Sequence, residues 1–218
     1  MSTHFEQELV ALKEQLLTMA SLAEAAVKRA IKALVERDDD LARRVNEEDN
    51  EIDRLEMEID ESAINLLARA PLASDLRLIT VAMKISRDLE RVADEATTIA
   101  RRAKELNAEP QLKPYVDIPR MAGMTLEMLK EALDAFVNRD PAKARAIIPR
   151  DEEVDLLNKQ LHRELASFMV EKPAIITRCL NLMVISKSLE RIADHATNVA
   201  EEVVYLYEAQ DIRHSGKA

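Results

Sequence analysis

Ile85-Ser86-Arg87-Asp88-Leu89-Glu90-Arg91-Val92-Ala93-Asp94-Glu95-Ala96-Thr97 returns 100 residues later as Ile185-Ser186-Lys187-Ser188-Leu189-Glu190-Arg191-Ile192-Ala193-Asp194-His195-Ala196-Thr197. Across 85–100 and 185–200, ten of sixteen positions are identical. Two packed helices share apolar spacing for structural reasons alone. Here Ser, Glu, Arg, Asp and Thr also recur in register, and repeated polar residues need a chemical reason. The repeat reaches upstream at an offset of 102: Met19-Ala20 matches Met121-Ala122, Lys28 matches Lys130, and Arg37-Asp38 matches Arg139-Asp140. Asp49, Glu51, Asp53 and Leu55 match Asp151, Glu153, Asp155 and Leu157. Each half is a unit of about 100 residues, an ordinary domain size, and an internal repeat of this kind constrains the whole fold.

Composition fixes the class of fold. The 218 residues include two glycines, no tryptophan and 3% aromatics, too few turn and strand formers for a β-rich fold. Ala, Leu, Glu, Lys and Arg dominate, as in long helices. Breaks at Asp38-Asp39-Asp40, Pro71, Asn107 to Pro119, Asp140-Pro141 and Lys172-Pro173 leave six long helical segments. Asp40, Ser74 and Asp140 are candidate N-caps, and Pro119, Pro141 and Pro173 suit a first helical turn. Pro149, where the first repeat has Glu47, predicts a kink or restart in the fifth segment. Long helices with short connections pack as antiparallel neighbours. The expected fold is all-α: two tandem three-helix bundles, one over 1–106 and one over 119–218, joined by a linker at 107–118.

Charge and cysteine usage narrow the function. The net charge of −10 argues against nucleic acid as a partner, since that binding depends on cationic side chains. No stretch reaches the ~18 apolar residues of a membrane span, and the amino terminus lacks the pattern of a secretory signal. The single cysteine, Cys179, excludes an internal disulfide and suits a reducing compartment. These features predict a cytoplasmic protein without membrane insertion. Residues 36–61 hold thirteen acids and four bases, a concentration that repels itself unless screened.

The repeated acids carry the chemistry. Ser86, Glu90, Asp94 and Thr97 form a polar seam beside the apolar stripe of the third segment, and Ser186, Glu190, Asp194 and Thr197 repeat it. On the second segment Asp49 and Asp53 lie four apart, with Asp49 in the gap between Val45 and Ile52. Asp151 and Asp155 repeat that arrangement. Carboxylates four apart on a helix lie close enough to repel, and an acid near a core stripe is unfavourable unless paired or bound to a cation. If the helices of one bundle face each other, Asp49, Asp53, Glu90 and Asp94 converge, as do Asp151, Asp155, Glu190 and Asp194. Oxygen-only ligation suits magnesium, manganese, calcium or ferric iron. The competing reading is a solvated face, with Arg87 and Arg91 bridging to Glu90 or Glu95. His195 follows Asp194 and is a surface or capping residue or a member of the second site. Cys179 reads as a small buried hydrophobe.

On these motifs the chain resembles the PhoU family, accessory proteins of bacterial phosphate-specific transport. The resemblance spans essentially the full length and rests on Leu89-Glu90-Arg91-Val92-Ala93-Asp94 and its second copy, Leu189 to Ala196. It implies a commonly homodimeric, cytoplasmic protein that binds iron, zinc, manganese or magnesium through the acidic motifs. It also implies a negative regulator linking the phosphate ABC transporter to the sensor histidine kinase of the phosphate-starvation genes. No catalytic residues and no organic cofactor are expected. Two alternatives stand beside it. A metal-dependent enzyme of the di-iron bundle type would need Glu-x-x-His motifs, but position 159 before His162 is Lys and position 192 before His195 is Ile. A structural or chaperone-like bundle would leave the acids merely solvated.

Overall fold

A computed structural model describes residues 4–70 and 72–213. Seven α-helices run in order: α1 (His4–Glu36), α2 (Asp39–Leu67), α3 (Ala73–Asn107), α4 (Asp117–Asn138), α5 (Pro141–Ile147), α6 (Asp151–Glu171) and α7 (Ile176–Glu208). Short 3-10 turns precede α6 (Ile148–Arg150) and α7 (Pro173–Ile175). No strand occurs among the described residues. Helices α1, α2 and α3 pack on one another as the first bundle, and α4, α5–α6 and α7 form the second. The fifth expected segment is split into α5 and α6, and the break falls at Pro149 as its ring requires. The break expected at Pro71 lies outside the described residues.

The two bundles meet along α3 and α7, the helices that carry the 85–100 repeat, and their buried apolar residues form one continuous core. Leu89 and Leu189, equivalent in the repeat, are both fully buried. Ala93 and Ala193 are buried too, and so is Cys179. Polar contacts cross the same junction. Lys84 Nζ lies 3.0 Å from both carboxylate oxygens of the buried Glu202, and Arg191 reaches Glu95 at 3.0 Å. Asp88 accepts from Asn198 at 3.2 Å and meets His195 Nδ1 at 2.8 Å. His195 therefore ties the halves together rather than capping a helix or joining the acids of its own half.

The repeated Arg-Asp pair has a conformational reason. Arg37 and Arg139 each adopt φ 56°, in the left-handed region. The next residues, Asp38 and Asp140, return their N–H groups to Ala33 O and Ala135 O at 3.0 Å, closing the helix ends in the Schellman manner. The same aspartates then start the next helices: Asp38 accepts from the N–H groups of Asp40 and Leu41, and Asp140 from that of Lys143. Asp140 is thus the cap expected, whereas the first-half cap is Asp38 and not Asp40. Three consecutive aspartates make the cap ambiguous, and the left-handed turn at Arg37 selects the first. Ser74 is not a cap either; α3 is preceded by extended Leu72, with no side-chain capping bond.

A left-handed non-glycine residue carries a penalty of roughly 1 kcal/mol. Arg139 is exposed, so Arg139→Gly should raise stability by about 0.5–1 kcal/mol in urea denaturation. Arg37 donates to Asn107 O and Glu109 O at 2.6 Å each, fastening the end of α3. Arg37→Gly should therefore lose what it gains and leave stability unchanged or lower.

Candidate metal-binding seams

Each half has one seam: α2 against α3 in the first, α6 against α7 in the second. The apolar stripe Val45, Ile52, Leu55, Ile59, Ala63 and Leu66 is buried and turns α2 toward its partners. Asp49, placed between Val45 and Ile52, is carried half-buried to the edge of that contact. Burial pushes its carboxyl up to about 6, with Asp53 on the same helix and Asp94 across on α3 adding to the effect. Glu90 is pushed up to about 7 by burial first and Asp94 next, opposed by Arg91; Glu56 and a hydrogen bond shared with Asp94 add to the rise. The acids of the first half are thus within electrostatic reach of one another across the helix pair.

The second seam repeats the arrangement. Burial pushes Asp151 up to about 6, then Asp194, Asp155 and Glu190 add to the rise against Lys187. Asp194 is exposed as a residue, yet local burial raises its carboxyl, with Glu190 adding and Lys187 and His195 opposing. Glu190 itself is buried and pairs with Lys187. One oxygen of Asp151, Oδ1, is buried with no hydrogen-bond partner.

These side chains are currently arranged around cations of the protein's own. Arg91 lies 2.9 Å from Asp94 and 3.4 Å from Glu90, and Lys159 lies 3.0 Å from Asp155. Asp49, Asp53 and Asp151 have no ion pair among the described residues. Nor, among the described residues, do three His, Cys, Asp or Glu side chains converge closely enough to hold a metal ion. Each seam therefore gathers its four acids on facing turns without drawing them into ligating geometry. Their chemistry nevertheless fits a hard cation. The donors are all carboxylate oxygens, three carboxyls are pushed above the usual carboxylate range by burial and mutual repulsion, and Asp151 Oδ1 is orphaned. A cation would relieve the repulsion and the orphaned oxygen together.

Sequence reasoning missed three members of these seams. Glu56 on α2 faces the first cluster, raised by burial, Asp60 and Asp53 and lowered by Arg87 and Arg91. Its counterpart in the second half is Asn158, which is buried and accepts from Ser186 at 2.8 Å. His162 completes that cluster, 3.0 Å from Ser186 Oγ. Glu56 lies one turn beyond Asp53, but the repeat, which marks the other acids, diverges there. The first seam is accordingly the more acidic. Arg91 bridges to Glu90, as its spacing predicts, whereas Glu95 is engaged across the junction by Arg191.

Two helical bundles related by duplication, each with a carboxylate seam along one helix pair, define the class. Comparison with known proteins carries this to a family. The PhoU domain model matches twice, over residues 16–103 and 118–203. The phosphate-specific transport system accessory protein PhoU homolog of Pseudomonas aeruginosa is 42% identical over 217 residues, covering 99% of this chain and 90% of the relative. The accessory protein PhoU of Escherichia coli K12 is 35% identical over 216 residues, with 99% and 90% covered. The crystal structure of PhoU from P. aeruginosa superposes with a TM-score of 0.92 at 42% identity, covering 95% of this chain and 100% of that one. The crystal structure of the phosphate transport system regulatory protein PhoU from Streptococcus pneumoniae gives 0.90 at 30% identity, with 96% and 99% covered. The chain belongs to the PhoU family.

Proposed function

We propose that this chain is a cytoplasmic negative regulator of phosphate uptake and phosphate-starvation signalling. It acts as an adaptor, with no reaction of its own, between the phosphate ABC transporter and its sensor histidine kinase. The names of its relatives support the transport connection. The absence of any helix long and apolar enough to cross a membrane among the described residues accords with a protein that reaches the transporter by docking. The observation carrying the reading is the duplicated acid seam, kept in both halves although burial and neighbouring acids push its carboxyls above their ordinary range.

In this reading Asp49, Asp53, Glu90 and Asp94 hold one site for metal ions and Asp151, Asp155, Glu190 and Asp194 the other. Iron, manganese, magnesium and zinc are the candidate ions, and oxygen ligation favours the harder ones. A bound cation neutralises carboxylates that otherwise repel, rigidifies the α2–α3 and α6–α7 pairs, and changes the charge of the surface a partner meets. The working unit is a homodimer.

A reporter for phosphate-starvation genes, read at high phosphate, tests this in three strains: intact, deleted, and carrying Glu90→Gln with Asp94→Asn and Glu190→Gln with Asp194→Asn. Deletion should switch the reporter on despite abundant phosphate, and the neutralised protein should do the same at normal abundance. Silence in the deletion strain would remove the regulatory role. Silence only in the neutralised strain would keep the adaptor and assign the carboxylates to structure.

A further inference from the structure

Further along the α2–α3 pair, next to the first acid seam, lies a groove of about 350 Å³ with the opposite character. Its polar lining is Arg43 and Asn46 from α2 and Thr97, Thr98, Arg101 and Lys104 from α3, with no acid among the described residues that line it. Positions 97, 101 and 104 fall on one helix face by spacing. Arg43 is paired with Asp40 at 2.7 Å, and Thr97 donates to the carbonyl of Asp94 at 2.8 Å. Arg101 and Lys104 are exposed and make no ion pair or hydrogen bond among the described residues. The Thr98 hydroxyl is likewise uncommitted, and the Asn46 amide makes only a long 3.5 Å contact with Ala42 O.

Such a cluster is unexpected on a chain of net charge −10, where free cations normally find a nearby acid. Nor does the scaffold require it. At equivalent repeat positions the second half has Ile148 for Asn46, Glu201 for Arg101 and Val204 for Lys104. The equivalent stretch of α7 thus folds with an acid and an apolar residue at 201 and 204, and Ile148 opens the 3-10 turn before α6. Arg43 has a counterpart in Arg145, whereas the bases at 101 and 104 belong to the first half alone.

We propose that this groove binds a small phosphoryl oxyanion. Arg101 and Lys104 supply its charge, Arg43 reinforces them from across the groove, and Thr98 and Asn46 donate hydrogen bonds. A guanidinium offers two parallel N–H donors matched to tetrahedral oxyanion edges, and the ammonium adds a point charge. The groove volume falls within the range of small-ligand sites, so the anion is either free inorganic phosphate or a longer phosphate chain.

Isothermal titration of the full chain, EDTA-treated and in about 0.1 M chloride, with inorganic phosphate, pyrophosphate and ATP separates these sources. At least one should bind saturably. Arg101→Glu, which places in the first half what the second already carries at 201, should weaken that binding by tenfold or more. Lys28→Glu, a charge reversal on α1 outside the groove, should leave it within twofold. Saturable binding with this pattern supports the site. Absence of saturable binding for all three anions would overturn it. So would affinity that survives Arg101→Glu, or falls equally with Lys28→Glu.

Discussion

Adding manganese or ferric ions to the metal-free protein should raise its melting temperature, and the gain should vanish when Glu90→Gln/Asp94→Asn and Glu190→Gln/Asp194→Asn are combined. An ion at about 100 times its Kd stabilises by about 2.7 kcal/mol per site. For a chain of this size that corresponds to roughly 5–10 °C. The first site, with Glu56 beside its four acids, should contribute the larger share. The same carboxyls set a pH dependence in the absence of metal. Their folded values, about 6 for Asp49 and Asp151 and about 7 for Glu90, lie above those of an unfolded chain. Unfolding therefore releases protons, and the metal-free fold loses stability as pH rises from about 4 through about 7. With partial solvent screening this is about 2 kcal/mol per group at most, and less in sum because the groups are coupled. Scanning calorimetry at pH 5 and pH 8 checks the sign. The metal-free wild type should melt lower at pH 8, and the neutralised variant should flatten the difference. A metal response that persists in the neutralised variant would place the ions elsewhere.

Leu89→Ala should remove about 3–5 kcal/mol, because Leu89 is fully buried and a close-packed core closes only partly around a lost side chain. Leu189→Ala should do the same from the second half. Since α3 and α7 share one core, either change should lower a single cooperative transition rather than split it. Two separate transitions in Leu89→Ala would show that the bundles fold independently. Calorimetry with circular dichroism at matched concentration distinguishes these outcomes.

The duplication was legible because polar residues recurred in register, and the all-α tandem fold followed from it together with composition. Pro149 marked the break between α5 and α6 because a ring without an N–H leaves few options. The acids of each seam were legible for the same reason as the repeat. Their detailed geometry was not, since the positions of Arg91 and Lys187 depend on rotamers that no spacing encodes. The cap falls at Asp38 rather than Asp40, and the sequence does not show it because the left-handed turn at Arg37 leaves no signature when glycine is not used. The contact between Asp88 and His195 was invisible: the residues are 107 apart, and neither is kept in the other repeat.

That contact makes the two halves non-interchangeable. In repeat register Asp88 corresponds to Ser188 and His195 to Glu95. A chimera built from two copies of the first half would bring aspartate against glutamate where Asp88 now meets His195. One built from two copies of the second would set serine against histidine and leave the equivalent of Arg191 facing a histidine instead of Glu95. The junction thus encodes the order of the halves in its charges. A single repeat assembling with itself would lack the Asp88–His195 pair, so the divergence at these few positions matches each half to the other.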